Sequence, residues 1–355
     1  MPPRQVPPVR APAVAPTEAA RADRPARLDR GADESAEPRG GLGWRRPRAR
    51  RTRRRPRREG RPRSAFAAGR QLYPFDRRDP ARIVALMALE RRLFEALGGE
   101  CEIYAYGLRP ARLADGEAWV HEMHDRLTRF SPTSELSRFN ASAGAWVGVS
   151  PLLESLLREC LRAHELSGGL VNAAVLPALL AAGYTRTFSE GPTAVTASVV
   201  PPALPEVLEV RSGSARLRLG ASIDLGGIAK GWLADRLAAE LGPNSLVNLC
   251  GDLFARGDGE TGEGWPVGMG GKTVLLLDMG AATSGTRKRT WGPDLHHLID
   301  PRTGLPSRSD LVEASVIARS GADAEIFAKT ALILGSTKAE EYLAAHDALG
   351  WSLIA

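Results

Sequence analysis

Apolar positions change their spacing several times along the chain, and each change predicts an element. From 81 to 99, ARIVALMALERRLFEALGG has helical spacing and ends at Gly98-Gly99, a pair suited to a helix C-terminus. CEIYAYG at 101–107 alternates as a strand, and GEAWVHEMHDRLTRF at 116–130 returns to helical spacing. SPTSELSRFNASAG at 131–144 reads as a loop with a capped turn. SPLLESLLRECLRAHELSGG at 150–169 predicts an amphipathic helix, and AAVLPALLAAGY at 173–184 a second helical stretch. Short strands follow at LEVRS (208–212) and ARLRLG (215–220), joined through a Gly-Ser turn. Then come a helix IAKGWLADRLAAELG (228–242), a strand SLVNLCG (245–251), more short strands, a helix ADAEIFAKTALILG (322–335) and a short closing segment. Helices and strands alternate without a repeat, which predicts an α/β or α+β domain over about 76–355.

Charge divides the chain. Of 48 Lys and Arg, 20 lie in residues 1–70, all Arg, against seven of the 41 acids; that segment carries +13 and the remainder −6. Eleven of the 26 prolines lie there too, with RRPRARRTRRRPRREGRPR at 45–63. Few aliphatic residues are present to offset ordering entropy by burial, so 1–75 is expected to be disordered. It reads as an arginine arm for anions, as a solvated tail, or as text upstream of a later true start. No apolar h-region follows the RR pairs, so no export signal is expected and the location is expected to be cytoplasmic. No apolar run approaches a membrane span, and no nucleic-acid partner is expected. Cys101, Cys160 and Cys250 form no CxxC spacing, which predicts neither a disulfide framework nor a cysteine zinc site.

Four segments carry candidate chemistry. In ASIDLGGIAKGWLAD (221–235) a strand ends at Asp224, Gly226-Gly227 open a helix, and Lys230 sits on its first turn. Adjacent glycines with free helix-start amides suit a phosphate; the plain alternative is a tight turn with a snorkelling lysine. NLCGDLFARG (248–257) places an acid, Asp252, on a turn. AATSGTRKRTWGPDLHHLIDPRTGLP (281–306) sets Ser284-Gly285 on a turn and His296-His297 ahead of Asp300. In ADAEIFAKTALILG, Glu325 and Lys329 are four apart, which by itself reads as an exposed ion pair. HEMH at 121–124 lacks the HExxH spacing and a third ligand, and Cys250 reads as a small residue packed in a strand.

Taken in order, these segments resemble the ApbE family, the FAD:protein FMN transferases, from about Phe94 to Gly335. RFSPTSELSRFNASAG (129–144), GGLVNAAVLPALLAAGY (168–184), DLGGIAKG, the Ser284-Gly285 pair and HLIDPRTGLP carry the likeness. It implies an α+β, T-fold-related domain with helices packed on an antiparallel sheet. It also implies transfer of the FMN moiety of FAD to a Ser or Thr hydroxyl of an acceptor protein, with Mg2+ on the diphosphate and release of AMP. Hydrolysis of FAD to FMN and AMP, or FAD binding without turnover, are the alternatives. Carried over by position, Asp224, Lys230 and His297 are catalytic. Ser134, Glu135, Gly226, Gly227, Ser284, Leu298 and Ile299 join them in contacting FAD. Gly227, Ala322 and Glu325 hold the metal, together with the position of Lys329, where the family has Thr. The family's Asp in the segment GGLVNAA is Asn172 here, and a Gly is Cys250. An ammonium offers no lone pair to a metal. Lys329 therefore reaches the phosphates itself, pairs with Glu325 and blocks coordination, or bends away to solvent. Deleting residues 1–70 is expected to leave the thermal midpoint and FAD affinity unchanged; a midpoint many degrees lower would place that segment on the folded core.

Overall fold

The computed structural model describes residues 88–291 and 294–355. The expected extension over 1–75 and the start of the first expected helix lie outside the described residues. Where helical spacing runs up to Gly98-Gly99, the structure has a hairpin. Strand β1 (Leu89–Ala96) pairs antiparallel with β2 (Gly99–Tyr106) through a turn at Leu97 and Gly98, both at positive φ, 54° and 82°. A two-residue turn of that kind matches the strands' right-handed twist. The segment LERRLFEA satisfies both periods. Leu89 and Leu93, half of the apparent helical stripe, face solvent, while Phe94 and Ala96, two apart, are buried.

Eight α-helices follow among the described residues: α1 (Pro110–Leu127), α2 (Glu135–Asn140), α3 (Pro151–Leu166), α4 (Leu176–Ala181), α5 (Leu204–Val207), α6 (Ala229–Leu241), α7 (Gly321–Leu334) and α8 (Ser336–Ala345). The capped turn expected near 134 is α2, whose first amides are met by Ser134: its Oγ accepts from the Ser137 amide at 2.9 Å. Strands β3 (Val147–Gly148), β4 (Leu208–Arg211) and β5 (Ser214–Leu217) form a small sheet, with β4 and β5 joined at the expected Gly-Ser turn. The main sheet adds β6 (Ser245–Leu249), β7 (Asp252–Arg256), β10 (Met279–Gly285), β15 (Glu313–Ala318) and β16 (Gly350–Ile354). Its order is β1-β2-β6-β7-β10-β15-β16, every pair antiparallel, as the α+β expectation has it. Hairpins β8–β9 (Trp265–Met269, Lys272–Leu276), β11–β12 (Thr290–Trp291, Leu295–His296) and β13–β14 (Ile299–Asp300, Leu305–Pro306) complete the described strands. Both α8 and β16 fall in the closing segment, where no element was expected.

Alternation along the strands divides the core. Val247 and Leu249 of β6 face the helices, whereas Leu246 joins Trp265, Met269 and Leu276 under the β8–β9 hairpin on the other face. On the helical face, α6 packs on β6 and β7 and α7 on β10 and β15. The two helices also meet each other, and glycines let them do so. A β-carbon at Gly231 would lie 2.2 Å from the Gly321 carbonyl oxygen, and one at Gly280 would lie 2.1 Å from the Ser320 carbonyl carbon. The start of α7 thus rests backbone-on-backbone against α6 and β10. Asp235 of α6 caps it, accepting from the Gly321 and Ala322 amides at 2.6 and 3.0 Å. Burial lifts the Asp235 carboxyl to about 6 against those bonds.

Gly231 has helical backbone geometry, so propensity alone makes Gly231→Ala stabilising by about 1 kcal/mol. The contact reverses the sign: the variant is expected to lose about 1–3 kcal/mol in urea unfolding. A neutral or stabilising result would mean that the two helices do not approach this closely.

Candidate functional site

A cavity of about 500 Å3 opens where the start of α6, the middle of α7 and the loops around 128–131 and 284–299 converge. Asp224, Gly226, Gly227, Lys230, Ser284, His297, Leu298, Ile299 and Lys329 all line it. A larger hollow of about 910 Å3 lies on the opposite sheet face, but its charged lining is Glu102, Glu260, Glu263 and Glu313 against Lys288, which disfavours an anion. Ser134 and Glu135 do not reach the first cavity. Ser134 caps α2, and Glu135 takes Arg126 at 2.8 Å and the Ser150 amide at 2.9 Å, so both act on the loop's shape.

The strand-to-helix turn is held from within. Asp224 Oδ1 accepts from the Gly226 amide at 2.8 Å, the Ile228 and Ala229 amides reach the Leu225 carbonyl, and the Gly231 amide reaches Glu325 Oε2 at 2.9 Å. Of the helix-start amides expected to be free for phosphate, those of Gly226, Ile228, Ala229 and Gly231 are therefore engaged. Positive charge comes instead from side chains. Lys230 bridges Asp252 and Glu325, the latter at 3.0 Å. Lys329 donates to the Gly227 carbonyl at 2.5 Å and stands 3.6 Å from Glu325 Oε1. The Glu325 side chain is 1% exposed and each lysine 14%, so the Glu325–Lys329 pair is not the solvent-facing pair that spacing suggests.

Two acids and two ammoniums thus share one dry cluster. Burial disfavours the charged form of Lys230, yet Asp252 and Glu325 outweigh it and hold its pKa above the ordinary lysine range. Burial dominates at Lys329 and lowers it, with Lys230 adding repulsion. Burial raises the Asp252 carboxyl to about 6, against the attraction of Lys230. At Glu325 the two lysines overcome burial and keep the carboxyl below its ordinary value.

Arg129, which the sequence reading did not single out, forms the second charged feature. Its guanidinium lies over the Phe130 and Tyr184 rings at 4.2 and 4.7 Å and donates to the Tyr184 carbonyl at 2.7 Å. Its Nε is 2.8 Å from Asp224 Oδ2 but out of hydrogen-bond alignment, so that contact is coulombic. Asp224 accordingly orients Arg129 and the turn. An arginine beside an aromatic in TRF was the only available signal. The adjacent histidines differ. His296 is structural, with Nε2 donating to the Ser307 carbonyl at 3.0 Å and Nδ1 accepting from the Leu298 amide at 3.2 Å. His297 turns to the cavity, and its buried Nδ1 has no partner. Burial, then Arg289, Lys329 and Lys230, depress it to about 3.

Cys250 departs from the strand reading. It follows β6 at φ 60°, lines the cavity, and its Sγ lies 3.8 Å from Cys101 Sγ. His124 accepts from the Leu97 amide at 3.0 Å and His121 packs on Phe94, so HEMH braces the β1–β2 hairpin.

The expected metal position can be tested by its donors. Of the oxygens meant for Mg2+, the Gly227 carbonyl accepts from Lys329, Glu325 Oε1 from Lys230 and Glu325 Oε2 from the Gly231 amide. Ala322 lies in the first turn of α7, bound to Asp235 through its amide. Among the described residues no group of three or more His, Cys, Asp or Glu is placed to hold a metal. The residues present do not fit Mg2+, because nitrogens without lone pairs already occupy the Gly227 and Glu325 oxygens.

Comparison with known proteins follows the same lines. The model of the ApbE family matches residues 97–350. The FAD:protein FMN transferase of Treponema pallidum is 30% identical over 284 residues, covering 68% of this chain and 78% of that protein. That of Haemophilus influenzae is 25% identical, covering 63% and 73%. The apo flavinyl transferase ApbE of Pseudomonas stutzeri has a similar fold, with TM-score 0.64 at 20% identity over 74% of this chain and 91% of that one. The ApbE protein of Thermotoga maritima gives TM-score 0.66 at 21% identity, over 74% and 93%. No described helix is long and apolar enough to cross a membrane.

Between about pH 3 and 6.5 the unfolded chain protonates His297 while the folded chain does not. This site's contribution is intact above pH 6.5 and is lost as pH falls, by at most about 1.4 kcal/mol per unit. His297→Gln is expected to flatten the acid limb of the stability curve in urea titrations; an unchanged slope would mean that His297 is open to solvent.

Proposed function

Since the chain belongs to the ApbE family, we propose that it is an FAD:protein FMN transferase that moves FMN from FAD to a Ser or Thr hydroxyl of an acceptor protein and releases AMP. The observation that carries this for the site is the pair of buried lysines, Lys230 and Lys329, at the floor of a cavity with apolar walls. Leu170, Val171, Leu179 and Tyr184 offer a flat ring system a dry seat beside cations that suit a diphosphate.

In this reading the acceptor oxygen bonds to the FMN phosphorus as the bond from that phosphorus to the bridging oxygen breaks. The electron pair leaves on AMP, and the hydroxyl proton passes to the imidazole of His297, which lines the cavity. A bound diphosphate offsets the cations that depress this ring, which raises its basicity when it is needed. Lys230 is held by Asp252 and Glu325, and Arg129 by Asp224, so both cations are positioned before substrate arrives. No step is assigned to Mg2+, whose ligand oxygens are engaged.

Incubation with FAD and a peptide bearing the acceptor Thr is expected to add the mass of FMN to the peptide. AMP without peptide labelling would make the protein a pyrophosphatase, and FAD bound without product a binder. Lys230→Ala and Asp224→Ala are each expected to weaken FAD binding by about 1.5–3 kcal/mol, read by flavin fluorescence; unchanged affinity in both would remove the site.

A further inference from the structure

We propose that the Lys329 ammonium does the work of a divalent cation in this chain, so that FAD is bound and cleaved independently of Mg2+. The inference rests on the flavin-transferase reading above. It decides between the three dispositions of Lys329 that the sequence leaves open. Escape to bulk solvent is disfavoured by α7 itself: Ile326, Phe327, Ala328, Thr330 and Ala331 around it are all buried, and Lys329 leaves the helix toward the cavity. Its stem runs along the Gly227 backbone. A β-carbon at Gly227 would lie 3.0, 3.3 and 3.6 Å from Lys329 Nζ, Cε and Cδ, so the absence of a side chain there makes room for the lysine.

The ammonium then sits between the Gly227 carbonyl and Glu325 Oε1, two hard oxygens of the kind Mg2+ seeks. Admitting the metal would require Nζ to leave and would add two charges beside Lys230. The buried cluster of Lys230, Lys329, Asp252 and Glu325 is neutral as it stands. A spare donor distinguishes a surrogate from a block. Gly227 and Glu325 together take at most two of the three Lys329 N–H donors, leaving one for a phosphate oxygen in the cavity that the residue lines. As the bridging P–O bond breaks, that donor meets the charge developing on the AMP phosphate, a role otherwise taken by a metal.

The test compares full-length protein in EDTA and in millimolar Mg2+, by FAD fluorescence titration, AMP release and Mn2+ binding followed by electron paramagnetic resonance. The native chain is expected to leave Mn2+ free, to hold FAD with Kd unchanged within about twofold and to release AMP at the same rate in both conditions. Lys329→Thr opens an oxygen-lined gap; it is expected to bind one Mn2+ and to lose about tenfold in FAD affinity in EDTA, regained with Mg2+. Lys329→Met, which keeps volume without charge, loses affinity in both conditions. Stoichiometric Mn2+ binding by the native chain, a tenfold weaker FAD complex in EDTA, or AMP release only with Mg2+ would overturn the inference while leaving the transferase reading intact. FAD bound by neither condition's native chain would remove that reading and the inference together.

Discussion

The backbone contact between Gly231 and Gly321 sets the spacing on which the site depends. With no β-carbon on either side, α6 and α7 come close enough for Glu325 to accept from the Gly231 amide and from Lys230 at once. Lys329, one turn beyond Glu325, is carried over Gly227 by the same approach. Asp235 reinforces the contact by capping α7, and Gly280 lets the cap rest on β10. Widening that junction by one methyl group would draw Glu325 away from Lys230 and from the Gly231 amide.

Four charges can be buried together only because they cancel. An isolated ammonium or carboxylate taken out of water is strongly disfavoured, and a pair offsets this only with good geometry and satisfied donors. Here Glu325 has a partner on each oxygen, and Asp252 is held by Lys230. Both Glu325 oxygens and the Gly227 carbonyl are already hydrogen-bonded within the cluster and its surroundings. At this strand-to-helix turn the Gly226, Ile228 and Ala229 amides are engaged within the turn and the Gly231 amide by Glu325, so the positive charge facing the cavity is that of the lysine side chains.

Local spacing revealed most elements, and it failed where two periods coincide. LERRLFEA fits a helix and a strand alike, and only pairing with β2 selects the strand. The site was legible where residues cluster in sequence: Asp224 to Lys230, and His297 to Ile299. It was less legible for Arg129, an ordinary basic residue until Tyr184 and Asp224 come to it from distant segments, and for Cys250, which meets Cys101 only across the sheet.

The sequence by itself determined a mixed class of helices and strands, the motif order whose resemblance to a family implies an antiparallel sheet, and the placing of an acid, a glycine pair and a lysine at one helix start. Those depend on residue order and short-range periodicity, which an unfolded chain already carries. Tertiary structure alone decided which partner each charge has. The spacing of Glu325 and Lys329 is the same in an exposed pair and in a buried cation site. What distinguishes them is the distance between α6 and α7, a long-range quantity set by glycine backbones pressed together.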